Sequence, residues 1–312
     1  FVSQASDAKK SDGTTNYYKD VINTRSKYVY WTGHQSALTD AGESFAEQTA
    51  ATAYVTGTAV LTAVMTLGTD DNEPTAAEIN VGLDFLADSE TVDVNLMFAY
   101  PDANGTNTIA DKLISICKTR KDCMAFVSPP IEDSVGTSTP AADVKAWADT
   151  LVSTSYASAD SGAVYVYDKY NDTYRWLGAS GLCAGLCANT DNVADAWFSP
   201  AGATRGQLFG VIKLAFNPVK ADRDTLYKAR VNPVVSFPGE GTLLFGDKTL
   251  LSKPSAFDRI NVRRLFIVLE KAIATASNST LFEFNDEFTR SQFVNLVEPY
   301  LRDVQGRRGI FD

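Results

Sequence analysis

The chain has 312 residues, 45% of them hydrophobic and 21% charged, enough apolar material to bury one large core or two moderate ones. Its 28 Lys and Arg face 38 Asp and Glu, and the resulting net charge of −10 argues against DNA, RNA or anionic lipid as the main partner. The longest apolar runs, such as 59–64 and 265–269, fall far short of the roughly 20 residues that a membrane-spanning helix needs, so no membrane insertion is expected.

The first forty residues are polar and mixed, with a turn at Ser11–Asn16 and a short aromatic strand expected over Lys27–Trp31. No charged-then-apolar leader follows Phe1, and the chain is read as part of something longer. From about Thr52 strand and helix signals alternate. A Val-, Thr- and Ala-rich strand at Tyr54–Leu67 gives way to a turn at 68–72, and Pro74 enters the first turn of a helix with Ile79, Leu83 and Leu86 on one face. A strand over Val92–Tyr100, a helix with Ile109, Leu113 and Ile116, and the apolar run Cys123–Val127 follow. That βαβαβ rhythm predicts an α/β fold with mixed, largely parallel sheets flanked by helices.

A Pro- and Gly-bearing loop over 128–140 precedes a helix with Val144, Trp147, Leu151 and Val152 inward, and two domains are drawn there, 1–147 and 148–312. The second begins with an antiparallel hairpin, Ala163–Tyr167 and Tyr174–Leu177. Strands at 210–216 and 231–237 flank a helix at 222–229. Ser255–Asp258 reads as the capping box of a helix whose stripe is Phe257, Ile260, Leu265, Phe266, Leu269, Ala272, Ile273 and Ala276, with Arg263 and Arg264 beside it. A second capping box, Thr289–Gln292, opens a helix with Phe293, Leu296, Val297, Tyr300, Leu301 and Val304 inward and Pro299 bending it.

Chemistry is sparse. The one histidine is His34, and no G-x-S-x-G elbow presents a serine, so no catalytic residue is assigned. Cys117, Cys123, Cys183 and Cys187 lack C-x2-C spacing and read as core residues rather than a zinc site. The Asp70–Glu73 run reads as a solvated turn rather than a calcium site, and Asp102, just past a strand, as the turn acid before the next helix. Gly241 and Gly246 have phosphate-loop spacing, but Asp247 stands before Lys248 and puts negative charge where phosphate would sit. Neither cofactor nor metal is expected. The aromatic hairpin from Tyr165 to Trp176 reads as half-buried packing in preference to a sugar platform.

Four segments carry a resemblance. Trp197–Gly206, Leu226–Val235 with Arg230-Val-Asn-Pro233, Gly241–Leu250 and Asn261–Leu265 resemble, in that order, the signature stretches of contractile tail sheath proteins, above all those of T-even-like bacteriophages. The resemblance marks Pro200, Gly202, Arg205, Gly206, Gly241, Phe245, Gly246, Lys248, Thr249, Arg263 and Arg264 as signature positions; Lys248 stands where many sheath proteins carry Arg. It implies a non-enzymatic subunit of the virion tail, assembled in the host bacterial cytoplasm. Its partners would be copies of itself, the tail tube protein, and baseplate and tail terminator proteins.

On this resemblance the chain is the middle of a subunit, without an outer protruding domain, an inner C-terminal domain and the terminal arms that add strands to neighbours, so alone it should be monomeric. Arg263, Arg264, Arg307 and Arg308 are candidate charges for contact between subunits. Gly246→Val should disrupt folding or assembly through lost backbone freedom. The competing readings are a subtilisin-like α/β hydrolase and a carbohydrate- or receptor-binding module.

Overall fold

The computed structural model describes residues 2–3, 5–31, 74–103 and 105–311, in two compact units that divide at 70/71. In the first, the Asp12 carboxylate accepts from the N–H and hydroxyl of Thr14, which closes the expected turn, and Tyr18–Arg25 forms helix α1. Residues 27–31 are not the strand predicted for them. Tyr28 and Tyr30 stand in solvent, and the Asn23 side chain, pairing with both the N–H and the C=O of Trp31, fixes the segment instead. The strand predicted at Tyr54–Leu67, His34 and the Asp70–Glu73 run lie outside the described residues.

The second unit begins with α2 (Ala76–Asp84), where Thr75 and Glu78 form a reciprocal capping box and Pro74 sits just before the cap. In order come β1 (Leu96–Phe98), α3 (Thr108–Arg120), β2 (Met124–Val127), α4 (Pro140–Thr150), β3 (Ala157–Asp160), β4 (Ala163–Asp168) and β5 (Thr173–Gly178). These are followed by α5 (Ser180–Val193), β6 (Val211–Leu214), α6 (Lys220–Lys228), β7 (Val231–Asn232), β8 (Val234–Phe237), β9 (Gly241–Leu244), α7 (Ile260–Ser277) and α8 (Glu287–Gly306).

The main sheet is parallel with strand order β1-β2-β3-β7, as the βαβ rhythm predicts. Alternation along β2 shows how it is covered. Ala125 and Val127 join a core with Leu113, Ile114, Val144 and Leu226 from α3, α4 and α6, while Met124 and Phe126 join another with Cys183, Cys187 and Ile267 from α5 and α7. The sheet's hydrogen bonds run across the 147/148 position at which the sequence reading divides the chain, because β3 and β7 continue the sheet begun by β1 and β2. A second sheet, β5-β4-β6, is antiparallel and contains the predicted hairpin, with Tyr165 opposite Trp176.

Helix starts differ from their predicted positions in two places. Ser255 caps a single 3-10 turn, Arg259 is extended, and α7 begins only at Ile260. Asp286, not Thr289, caps α8 by accepting the Thr289 N–H. Only Val304 of the predicted inward stripe of α8 is fully buried, and Leu296 is exposed. No helix among the described residues is long and apolar enough to cross a membrane.

Arg120, at the end of α3, organises the irregular chain before β1. Its buried guanidinium donates to the carbonyls of Leu86, Asp88 and Val92 and forms a bidentate pair with Asp122. Removing it strands three carbonyls and a carboxylate, so Arg120→Met should lower stability by about 3 kcal/mol. Urea unfolding checks this, and a loss below about 1 kcal/mol would contradict it.

Candidate functional site

Pro233 has no N–H to give a ladder, and the segment 231–237, predicted as one strand, breaks there: β7 stays in the parallel sheet and β8 leaves it to pair with β9. The residue before the break does unusual work. Asn232 is 1% exposed; its Oδ1 accepts the Lys248 N–H at 2.7 Å, and its Nδ2 donates to the Lys248 carbonyl at 2.8 Å, to Ser158 Oγ and to the Ala159 carbonyl. One side-chain amide thus pairs with Lys248 as a neighbouring strand would. The next residues extend the seam: Thr249 takes the Asp258 carbonyl, and the Leu250 N–H donates to the Ala157 carbonyl.

The loop after α5 is drawn onto the same place. Gly202, in the left-handed region at φ +91°, donates to the Leu244 carbonyl, Leu244 donates to Gly206, and Leu208 donates to Thr242, so this loop flanks β9 as a third strand. Arg205 is turned back on its own loop by a 2.8 Å bond to the Ser199 carbonyl and lies over the Phe198 ring. Pro200 is buried at the loop's start.

Asp247, rejected in the sequence as a misplaced acid in a phosphate loop, is the charged hub. Its carboxylate accepts from Arg259 at 2.8 Å, from the Tyr227 hydroxyl and from Ser199 Oγ, while its backbone carbonyl accepts the Ile260 N–H that starts α7. Arg259 also donates to the Tyr227 hydroxyl, and the Lys248 ammonium sits 4.3 Å from the centre of the Tyr227 ring while donating to the Tyr227 carbonyl. Four stretches far apart in sequence therefore close on one junction. Tyr227, Asn232, Asp247 and Arg259 are the members that the list of signature positions omits. For Asn232 and Asp247 the signal available was their place in short stretches bearing polar residues beside apolar strands, 230–233 and 246–249; Tyr227 and Arg259 lie outside both.

Arg263 and Arg264 face inward, contrary to their expected role as contact charges. They are 6% and 5% exposed because the first turn of α7 packs against the sheet. The Arg263 guanidinium lies between the rings of Tyr156 and Phe257, and Arg264 pairs with Asp191 at 2.5 Å. Arg307 and Arg308 are exposed, with Arg307 reaching Asp195 at 2.9 Å.

Comparison with known proteins decides what this junction belongs to. Residues 72–250 match the model of the phage tail sheath protein central domain, and 252–312 that of the phage tail sheath C-terminal domain. The chain belongs to the phage tail sheath family. It is 43% identical over 267 residues to the tail sheath protein of Vibrio phage KVP40, which covers 78% of this chain and 40% of that protein. The tail sheath protein of Enterobacteria phage T4 is 42% identical over 77% of this chain and 39% of its own length, and that of Salmonella phage ViI is 39% identical over 98% and 44%. The chain spans about two fifths of the length of these curated relatives.

Solved structures share the fold at lower identity. The sheath complex of an extracellular contractile injection system in its contracted state aligns with TM-score 0.60 and 21% identity over 78% of this chain and 68% of that one. The contracted helical sheath of the anti-feeding prophage aligns at 0.55 and 19%, over 78% and 61%.

In this sheath chain the residues weighed for other chemistry are occupied by structure. Asp102 accepts from the N–H groups of Ile109 and Ala110 and anchors the start of α3. The cysteines divide between the two faces of the main sheet, Cys117 with Cys123 and Cys183 with Cys187, and so do not converge. Burial pushes the Cys187 thiol up to about 12 and the Cys183 thiol well above its ordinary range, so both stay protonated at neutral pH. Among the described residues no group of three or more His, Cys, Asp or Glu is placed to hold a metal ion. The Lys213 ammonium lies 4.8 and 5.4 Å from the ring centres of Tyr165 and Trp176, covering the aromatic face that a sugar would stack on.

Gly246 has a different role from the one expected. Its backbone is not in the left-handed region; a Cβ there would lie 2.8 Å from Asn232 Oδ1 and 3.1 Å from the Asn232 Cα. The constraint is close approach, not backbone freedom. Gly246→Ala should therefore cost about 2 kcal/mol, and Gly246→Val more, by pushing Asn232 off Lys248. Asp247→Ala should cost roughly 1–2 kcal/mol, since Arg259 keeps solvent access and its charge is not stranded. Both are read from denaturant midpoints at unchanged slope; a Gly246→Ala protein as stable as the parent would refute the close-packing account.

Proposed function

We infer that the chain is part of a subunit of a contractile phage tail sheath, polymerising around the tail tube and contracting by rigid-body rearrangement to drive the tube through the host envelope. The observation that carries this reading is the locked junction in a chain of the sheath family. Asn232 and Asp247 tie the parallel sheet, the β8-β9 hairpin, the 199–208 loop and α7 into one body, so motion is left to the surfaces between subunits. Such a body stores free energy in how copies meet, and heterologous contacts that do not close generate a helix. No cofactor and no bond-breaking chemistry is needed, and the chain acts without catalysis.

The partners on this reading are further copies of the subunit, the tail tube protein at the inner surface, and the baseplate and tail terminator proteins at the two ends. The subunit is assembled in the host bacterial cytoplasm and ends in the virion tail. Of the four candidate contact charges Arg307 and Arg308 are exposed, and of these two Arg308 is the one without an ion pair among the described residues. The competing hydrolase reading has no supporting observation.

Electron microscopy of the full-length subunit is expected to show long hollow cylinders, and light scattering of the 312-residue chain alone to show a monomer. Full-length protein that stays monomeric under every assembly condition would contradict the first expectation, and tubes from the short chain the second. A serine-reactive probe that labelled one serine stoichiometrically would restore the hydrolase reading.

A further inference from the structure

The β4-β5 hairpin leaves and re-enters the body of the protein at one buried pair of side chains. The chain goes out through Asp160-Ser-Gly162 and returns into α5 through Gly178-Ala-Ser180. Ser128 Oγ and Asp160 Oδ2 are 2.6 Å apart. The same Ser128 oxygen accepts the Ser180 N–H at 2.8 Å, and Asp160 Oδ1 accepts the Gly162 N–H at 2.9 Å. Outgoing and returning backbone thus both bond to this pair, and the outgoing side is held further by Ser134 Oγ on the Ala163 N–H, by Ser161 Oγ on the Val234 N–H and by β6 along β4.

The joint is tight, yet space lies beside it. A Cβ at Gly178 would come within 2.8 Å of Ser128, and Gly162 has φ +132°, a conformation that side chains rarely adopt. Immediately next to the joint an apolar groove of about 730 Å³ lies between Val164, Val166 and Leu177 of the hairpin and Phe98, Tyr100 and Leu182 of the body.

Asp160 is 3% exposed and has no cation beside it. Around it stand Ser128, Ser158, Asn232, apolar Phe126, Leu244 and Ile260, and the Cys183 thiol, which burial keeps neutral. Charge in that shell has two hydrogen bonds and no counter-ion. We propose that Asp160 is a protonation latch for the base of the β4-β5 hairpin: with the carboxyl neutral the joint is closed, and ionisation loosens it at Gly162 and Gly178, beside the adjoining groove. In the closed form the carboxyl carries its proton, the Ser128 hydroxyl donates to Asp160 Oδ2, and the Ser128 oxygen accepts the Ser180 N–H. On ionisation that proton leaves to solvent, and hydrating the carboxylate requires the joint to part.

The direction with pH follows. Burial raises the Asp160 pKa from 3.8 to about 7 against the pull of the Ser128 and Gly162 hydrogen bonds. The closed form thus binds more protons than the open one between these values. The latch is fully effective below about pH 4, weakens by up to about tenfold per unit as pH rises from there to about 7, and changes no further above that.

Hydrogen exchange of the chain, read by mass spectrometry at pH 6 and pH 8 and corrected for intrinsic rates, tests this. Segments 161–167 and 177–182 should lose roughly tenfold in protection at pH 8 while 124–127 does not change. Asp160→Asn should remove that pH dependence, and Ser128→Ala, which deletes the shared acceptor, should leave 178–182 poorly protected at both pH values. Equal protection at the two pH values, a pH effect that survives in Asp160→Asn, or a fully protected 178–182 segment in Ser128→Ala would each overturn the latch.

Discussion

One buried amide determines how the rest of the body is arranged. The parallel sheet ends at β7 because Pro233 cannot extend a ladder, and without a substitute the backbone of Lys248 would face that end unpaired. Asn232 supplies the substitute, one acceptor and two donors in the plane of a missing strand. Gly246 has no side chain because Asn232 occupies the place where a Cβ would be. Asp247, next along, then fixes α7 through its carbonyl and the 199–208 loop through its carboxylate. Spacing, glycine and charge in the signature segments follow from the need to seat that amide and close over it.

The consequence is mechanical. Packed interiors deform little, so a body closed by short-range hydrogen bonds passes displacement to its surfaces instead of absorbing it. Buried cations reinforce this. Arg263 between the rings of Tyr156 and Phe257 and Arg264 on Asp191 attach the first turns of α7 to the segment before β3 and to α5, so their charge is used within the chain. The exception is the β4-β5 hairpin, which has β6 along one side and an open groove beside its base.

Much of the fold was legible because period and burial coincide: α3 and α4 show their apolar stripes, β2 its continuous apolar run, and the aromatic hairpin its alternation. What was missed is made of small residues. β3 reads Ala-Ser-Ala-Asp, with no branched side chain to signal a strand, because it lies mid-sheet with both faces covered. The Gly-, Ala- and Cys-rich sequence of α5 hides a helix because its residues must fit under neighbours, as Gly181 does against the Phe98 ring. Of the site, the resemblance located the segments but not their centre. Asp247 was weighed against the wrong chemistry, and the inward turn of Arg263 and Arg264 could not be read from a helical stripe in which they stand beside the apolar positions.

The central claim is that the signature segments form one body that keeps its internal contacts while subunits move. Structures of the full-length subunit in extended and contracted sheaths test it most directly. The Asn232–Lys248 pairing and the Asp247–Arg259 ion pair should be intact in both states, with residues 74–311 outside the β4-β5 hairpin superposing as a unit. A junction that is broken or re-paired in one of the two states would contradict the account.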